Sequence, residues 1–218
     1  MPSIRDRLRA LPAIVGSPPP FDPASAPADP HPLFLDWLDA AITAGVPEPH
    51  AATLSTVDAA GSPDARVLTL KDVTADGSFE IASGGESAKG AQLTANPACA
   101  LSFYWTPLAR AVRIRGVAVT ASPEESAADF RVRAAGAKAI ALLGRQGDVI
   151  RDDEDPAALI AASAARLEQD PATVSPEWTV WRIRPEWVEF WQGSPDRAHQ
   201  RLRYRRDADA WIRERLWA

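Results

Sequence analysis

Residues 111–121 alternate strictly. Val112, Ile114, Gly116, Ala118 and Thr120 leave an extended chain on one side, and Arg113, Arg115, Val117 and Val119 leave on the other. A helix would scatter both sets around its axis, so this alternation confines the segment to a sheet. Further strand candidates lie at residues 51–57, 66–71, 79–82, 98–105, 178–183, 188–191, 201–204 and 211–216. Tight-turn chemistry stands between several of them: Asp58-Ala59-Ala60-Gly61, Asp76-Gly77 and Asp207-Ala208-Asp209. Helical segments are inserted between blocks of strands. Residues 33–44 place Phe34, Trp37, Leu38, Ala41 and Ile42 on one face, with Gly45 and Pro47 as stop signals. Residues 87–95 end at Asn96-Pro97. Residues 123–135 follow Ser122 as N-cap, with Glu124 and Glu125 in the first turn, and residues 156–169 start at Pro156 beyond a polar loop at 144–155. Strands in series with helices between blocks predict a mainly β fold, an antiparallel barrel with peripheral helices, rather than a doubly wound sheet.

Residues 17–32 hold seven prolines and build no core, so residues 1–32 read as an N-terminal arm with a Pro-rich linker or wrapping segment. Residues 33–218 then form one domain. The net charge of −5 argues against a general nucleic-acid binder. No apolar run is long enough for a membrane span, and the opening residues, with no long apolar core and small-residue cleavage site behind them, do not lead one to expect a secretory signal. Cys99 is the only cysteine, which excludes an intramolecular disulfide and fits a reducing cytoplasm.

His31, His50 and His199 have no metal-ligand spacing, and no Walker loop, dinucleotide fingerprint or serine-hydrolase elbow is present. Three constellations bear chemistry. The first runs from Trp191 to Arg201, where Arg197, His199 and Arg201 share a face if the segment is extended. This suits an anionic planar ligand as well as it suits a solvated basic edge. In the second, Arg66 and Lys71 bracket an apolar strand and point to opposite faces. In the third, residues 83–89 pass from a strand end through Gly84-Gly85 to a helix start beside Lys89. This is a place for a phosphate, or an ordinary turn capped by Glu86.

Taken together, RVLTLK at residues 66–71, residues 87–97, SFYW at 102–105, VRIRG at 112–116 and the long block at 182–206 resemble the pyridoxamine 5′-phosphate oxidase family, which includes the related phenazine-biosynthesis flavin oxidases. The resemblance implies an FMN-binding split β-barrel and a homodimer with two FMN sites in the subunit interface, residues from about 176 to 218 being the dimerisation region. By position it assigns Arg66 and Lys89 to the FMN phosphate, with Ser83 adding a hydroxyl. The resemblance also implies that the Val67–Leu68 backbone runs along the isoalloxazine and that Gln146, Trp191 and Arg201 complete the cofactor site. It further implies that Lys71 and Arg133 contact the substrate phosphate and that Arg197 and His199 border the substrate ring as the catalytic candidates. The implied reaction oxidises an aminomethyl or hydroxymethyl carbon with dioxygen, giving an aldehyde and hydrogen peroxide.

The chain departs from the family pattern at Ala82, Ala88 and Ala111, where polar partners of FMN are expected. It departs again at Asp129 and Ala137, where the family has a Tyr and a Ser on the substrate phosphate; Asp129 is expected to repel that phosphate. A pyridoxal 5′-phosphate-forming oxidase therefore stands beside an oxidase of a non-phosphorylated aromatic substrate and a flavin-binding protein without turnover. A relative using a deazaflavin is less favoured by the 182–206 block.

Overall fold

A computed structural model describes residues 1–217. The elements in chain order are α1 (Ile4–Arg9), α2 (Pro30–Thr43), β1 (Ala51–Val57), β2 (Pro63–Thr69), β3 (Asp72–Val73), β4 (Phe79–Gly84), α3 (Ala88–Ala95), β5 (Ala98–Trp105) and β6 (Arg110–Thr120). They continue with α4 (Pro123–Val132), α5 (Ala135–Leu142), α6 (Pro156–Gln169), β7 (Trp178–Gln192), β8 (Gln200–Asp207) and β9 (Ala210–Arg215). One sheet has the strand order β2-β1-β5-β6-β7-β4-β3, and β8 joins β7 to β9. In β6, Val112, Ile114, Gly116 and Ala118 are buried while Arg113 and Arg115 are exposed, as the alternation predicts.

Residues 178–192 form one strand rather than two. Pro185, which has no N–H, falls between the stretch paired with β4 and the stretch paired with β8, so neither of those two ladders needs a bond from it. The helix expected over 123–135 stops at Val132, and a separate α5 follows. No side chain caps α5 at Ala134, so no start signal marks it; Ser163 Oγ of α6 donates to the Ala139 carbonyl (2.7 Å) and ties the two helices. In α2 the buried face is Leu33, Phe34, Trp37 and Ala41, whereas Ile42 is 57% exposed. Asp29 caps this helix, and Ile42 lies past the edge of the stripe that Phe34, Trp37 and Ala41 define.

The chain divides into two compact units. The first comprises residues 1–54, 100–115 and the chain from Pro185 onward. Its core is aromatic: Phe34 meets Phe103 edge-on at 5.2 Å, and Trp37 meets Phe190 at 5.2 Å. The Pro-rich segment is a wrapping arm rather than a free linker. Phe21 packs on Trp37, and Tyr204 Oη donates to the Pro27 carbonyl at 2.8 Å. The second unit comprises residues 55–99 and 116–184. Leu93, Phe79, Ile81 and Phe130 are buried in it, and Arg182 ties β7 to Glu80 of β4 (2.7 Å) and to Glu125 of α4 (2.5 Å).

Candidate functional site

In the second unit, β4 ends at Gly84 and the chain turns through Gly85 into α3, whose N-cap is Ser87 rather than Glu86. The Ser87 hydroxyl donates to the Gly84 carbonyl (2.7 Å) and accepts from the Gly90 N–H (3.3 Å). A Cβ on Gly90 would stand 2.2 Å from the Gly85 carbonyl oxygen, so only glycine lets the helix approach the turn this closely. Lys89, carried on the first turn of α3, donates to Gln146 Oε1 (3.0 Å) and to Ser87 Oγ (3.3 Å). Ser83 Oγ lies 3.1 Å from Ser87 Oγ and 3.5 Å from Gln146 Oε1. Arg66 of β2 reaches Thr56 Oγ1 (2.5 Å), Gln92 Oε1 (3.0 Å) and Asp64. Burial, and after it the positive charge of Arg66, hold the Lys89 ammonium below the usual lysine value. Arg66, Ser83, Lys89 and Gln146 are thus brought together, and among the described residues the acceptors of Lys89 are neutral oxygens.

The sequence reading missed Thr56, Asp64 and Gln92 here, and included Ser87 only as one of residues 83–89. Gln92 was findable, since it follows Lys89 by three residues on one helix face. Val67 is 72% exposed on β2 and Leu68 is half-buried. Ala82 and Ala88 sit on β4 and at the start of α3.

A second cluster in the same unit gathers Lys71, Asp129, Arg133 and Trp178. Lys71 Nζ lies 3.1 Å from Asp129 Oδ1, and the Trp178 indole N–H donates to Asp129 Oδ2 at 2.8 Å. The Arg133 guanidinium stacks over the Trp178 ring, 3.9 Å from its centroid, and its Nε is buried without a hydrogen-bond partner. Burial lowers the Arg133 pKa and Asp129 pulls it back. Asp129 was expected only to repel an anion; it also ties down a cation. Ala137 lies in α5.

The first unit holds the C-terminal constellation. Glu189 is 4% exposed and accepts from both Arg201 (Nη2, 2.8 Å) and Arg113 (Nη2, 3.1 Å). Arg201 Nη1 also donates to the Trp217 carbonyl (2.9 Å). Trp191 and His199 are 5.2 Å apart between ring centroids, and His199 Nδ1 accepts from the Ser194 N–H at 2.9 Å. That bond leaves the proton of a neutral imidazole on Nε2. Gly193 packs its backbone against Trp191, Ile14 and Ala109, with a Cβ excluded at 2.7 Å by Trp191.

The extended segment expected through Arg197 is not there. Arg197 has φ +69°, in a turn closed by its N–H to the Ser194 carbonyl (3.1 Å), and β8 starts only at Gln200. Asp196 Oδ1 accepts from the Ser194 hydroxyl and the Ala198 N–H and bends the chain, so Arg197 does not share a strand face with His199 and Arg201. Among the described residues no cluster of His, Cys, Asp or Glu is suited to a metal, and no helix is long and apolar enough to cross a membrane.

Residues 38–192 match the family described as pyridoxamine 5′-phosphate oxidase, and residues 178–218 match the pyridoxine 5′-phosphate oxidase C-terminal dimerisation region. A pyridoxine/pyridoxamine 5′-phosphate oxidase of Ectopseudomonas mendocina (strain ymp) is 45% identical over 195 residues, covering 88% of this chain and 90% of its own. One from Bordetella petrii is 43% identical over 193 residues, with the same coverage of 88% and 90%. Among solved structures, PhzG from Burkholderia lata 383, in complex with tetrahydrophenazine-1-carboxylic acid, superposes with a TM-score of 0.81 at 28% identity, over 93% of this chain and 100% of its own. The fold class is the mainly β split barrel of flavoproteins. The chain belongs to the pyridoxamine 5′-phosphate oxidase family. It is an FMN-dependent oxidoreductase, and FMN is its cofactor.

Proposed function

We propose that this flavin oxidase works as a homodimer and converts an aminomethyl or hydroxymethyl carbon of a planar aromatic substrate into an aldehyde. One observation carries the reading. Lys89 is half-buried at a helix start, feels the charge of Arg66, and has only neutral oxygens as acceptors among the described residues. Two neighbouring cations at a helix N-terminus fit the phosphate of FMN, which returns the charge balance that burial took away.

In this reading Arg66 and Lys89 hold the phosphate, and the hydroxyls of Ser83 and Ser87 flank it. Backbone of Val67 and Leu68 lies along the isoalloxazine, and Gln146, Trp191 and Arg201 complete the site, part of it from the partner chain. Lys71 and Arg133 face the far end of the substrate. Arg197 and His199 border its ring, His199 presenting Nε2–H because Nδ1 is occupied by the Ser194 N–H. Bound FMN supplies the hydride acceptor and the route of the electron pair to dioxygen, so amine, dioxygen and water give aldehyde, ammonia and hydrogen peroxide. A second reading, a non-phosphorylated substrate of the kind PhzG holds, is favoured by the Lys71–Asp129 pair.

The visible spectrum of the purified protein tests the proposal. Flavin absorbance after adding FMN, bleached anaerobically by pyridoxamine or its 5′-phosphate, is expected. No FMN uptake at micromolar concentration, or no bleaching by any aromatic amine, overturns it.

A further inference from the structure

Resting on that reading, we infer that Asp129 is a specificity-determining residue that sets the Lys71–Arg133 pocket against phosphate esters, so that the substrate is an aromatic amine or alcohol without one. The carboxylate is held at both oxygens, by Lys71 Nζ at 3.1 Å and by the Trp178 indole N–H at 2.8 Å. It is therefore not a loose surface group that swings aside. The side chains of Lys71 and Asp129 are 27% and 19% exposed, so solvent screens their charges only in part. A phosphate dianion reaching Lys71 must either displace a carboxylate that already has two donors or stand against it.

The charge count points the same way. Lys71 and Arg133 contribute two positive charges and Asp129 one negative, which leaves a single positive charge to face a dianion. Arg133 is partly committed as well: its guanidinium lies flat on Trp178, 3.9 Å from the ring centroid. What remains suits a neutral or singly charged end. Discrimination here comes from a repulsive group built into the pocket, a common way of refusing a near-identical ligand.

Isothermal titration calorimetry of FMN-saturated protein with pyridoxal and with pyridoxal 5′-phosphate tests this. The wild-type chain is expected to bind pyridoxal more tightly than its 5′-phosphate, by about threefold or more. Asp129→Asn removes the charge but keeps an oxygen for the Trp178 N–H; it is expected to tighten the phosphate ester about 10- to 100-fold while leaving pyridoxal little changed. Adding Lys71→Met to that variant is expected to abolish the gain. A wild-type preference for the ester, an unchanged ratio in Asp129→Asn, or binding of neither ligand by any of these proteins overturns the inference. Should the Asn variant fail to fold, competition decides: millimolar inorganic phosphate displacing pyridoxal from the wild-type protein overturns the inference, and its failure to compete supports it. Failure of the oxidase reading is seen separately, as absence of FMN uptake or of bleaching in the visible spectrum.

Discussion

At Gly90 the backbone of α3 runs so close to the preceding turn that an added Cβ would meet the carbonyl oxygens of Gly85 at 2.2 Å and Gly84 at 2.6 Å. Backbone cannot swing away as a flexible side chain does. Gly90→Ala is expected to cost about 1–3 kcal/mol in urea unfolding and to weaken FMN binding, because Ser87 and Lys89 ride on the same turn. Gly84→Ala, with open space at its Cβ, is the matched control, with an expected change within about 0.5 kcal/mol. Cys99 gives a second test at this scale. Burial pushes its thiol up to about 12, so the native protein should resist thiol reagents near neutral pH and react once unfolded in urea. Ser83 and Lys89 stood out in sequence as residue types beside a glycine turn, and Arg66 as the charged end of an apolar strand; the roles proposed for them toward FMN came from the family resemblance. The role of Glu189 was not, because an acidic residue inside an aromatic strand gives no sign in sequence that two arginines from other strands will converge on it.

At the scale of elements, α4 is fastened at its start. Glu125 closes the capping box with Ser122 and accepts from Arg182 of β7. The Arg182 guanidinium, and then the Ser122 N–H, hold its carboxyl at about 2 against an ordinary 4.5. A depressed carboxylate stabilises the fold fully above its unfolded value and loses that contribution as pH falls through its folded value. The difference in urea midpoint between wild type and Glu125→Gln should therefore be constant above pH 4.5 and vanish as pH falls to about 2. The β7–β8 pair is tied by Glu189 of β7, which accepts from Arg201 of β8. Glu189→Ala strands two arginines that are partly solvated, with an expected cost of about 1–3 kcal/mol. At equal folded fraction it should also retain FMN less well, since Arg201 loses its anchor. Elements with strong periodicity or caps were readable, β6 and α3 among them. The helix α5 was not, since it has no capping side chain, and neither was the turn at Arg197, whose positive φ depends on the Asp196 carboxylate holding the Ser194 hydroxyl and the Ala198 N–H.

At the scale of the whole molecule, the match of residues 178–218 to a dimerisation region makes the oligomeric state a direct test. Light scattering after size exclusion should give twice the 23.5 kDa of one chain, and dilution below the dimer dissociation constant should release FMN together with the partner. The mainly β class followed from strand series and turn chemistry, whereas the wrapping course of the Pro-rich arm depends on Phe21 and on the Pro27 carbonyl meeting Trp37 and Tyr204, contacts that no local pattern encodes. The scarcity of lysine gives the molecule one more property. Of its three lysines, Lys71 is paired with Asp129 and Lys138 donates to the Arg131 carbonyl, while Lys89 holds its proton less tightly than an ordinary lysine. An amine-reactive acylating reagent used sparingly at mildly alkaline pH should therefore mark Lys89 ahead of the other two. A peptide map of that single acyl group, made with and without FMN, would act as a covalent footprint of the cofactor's occupancy.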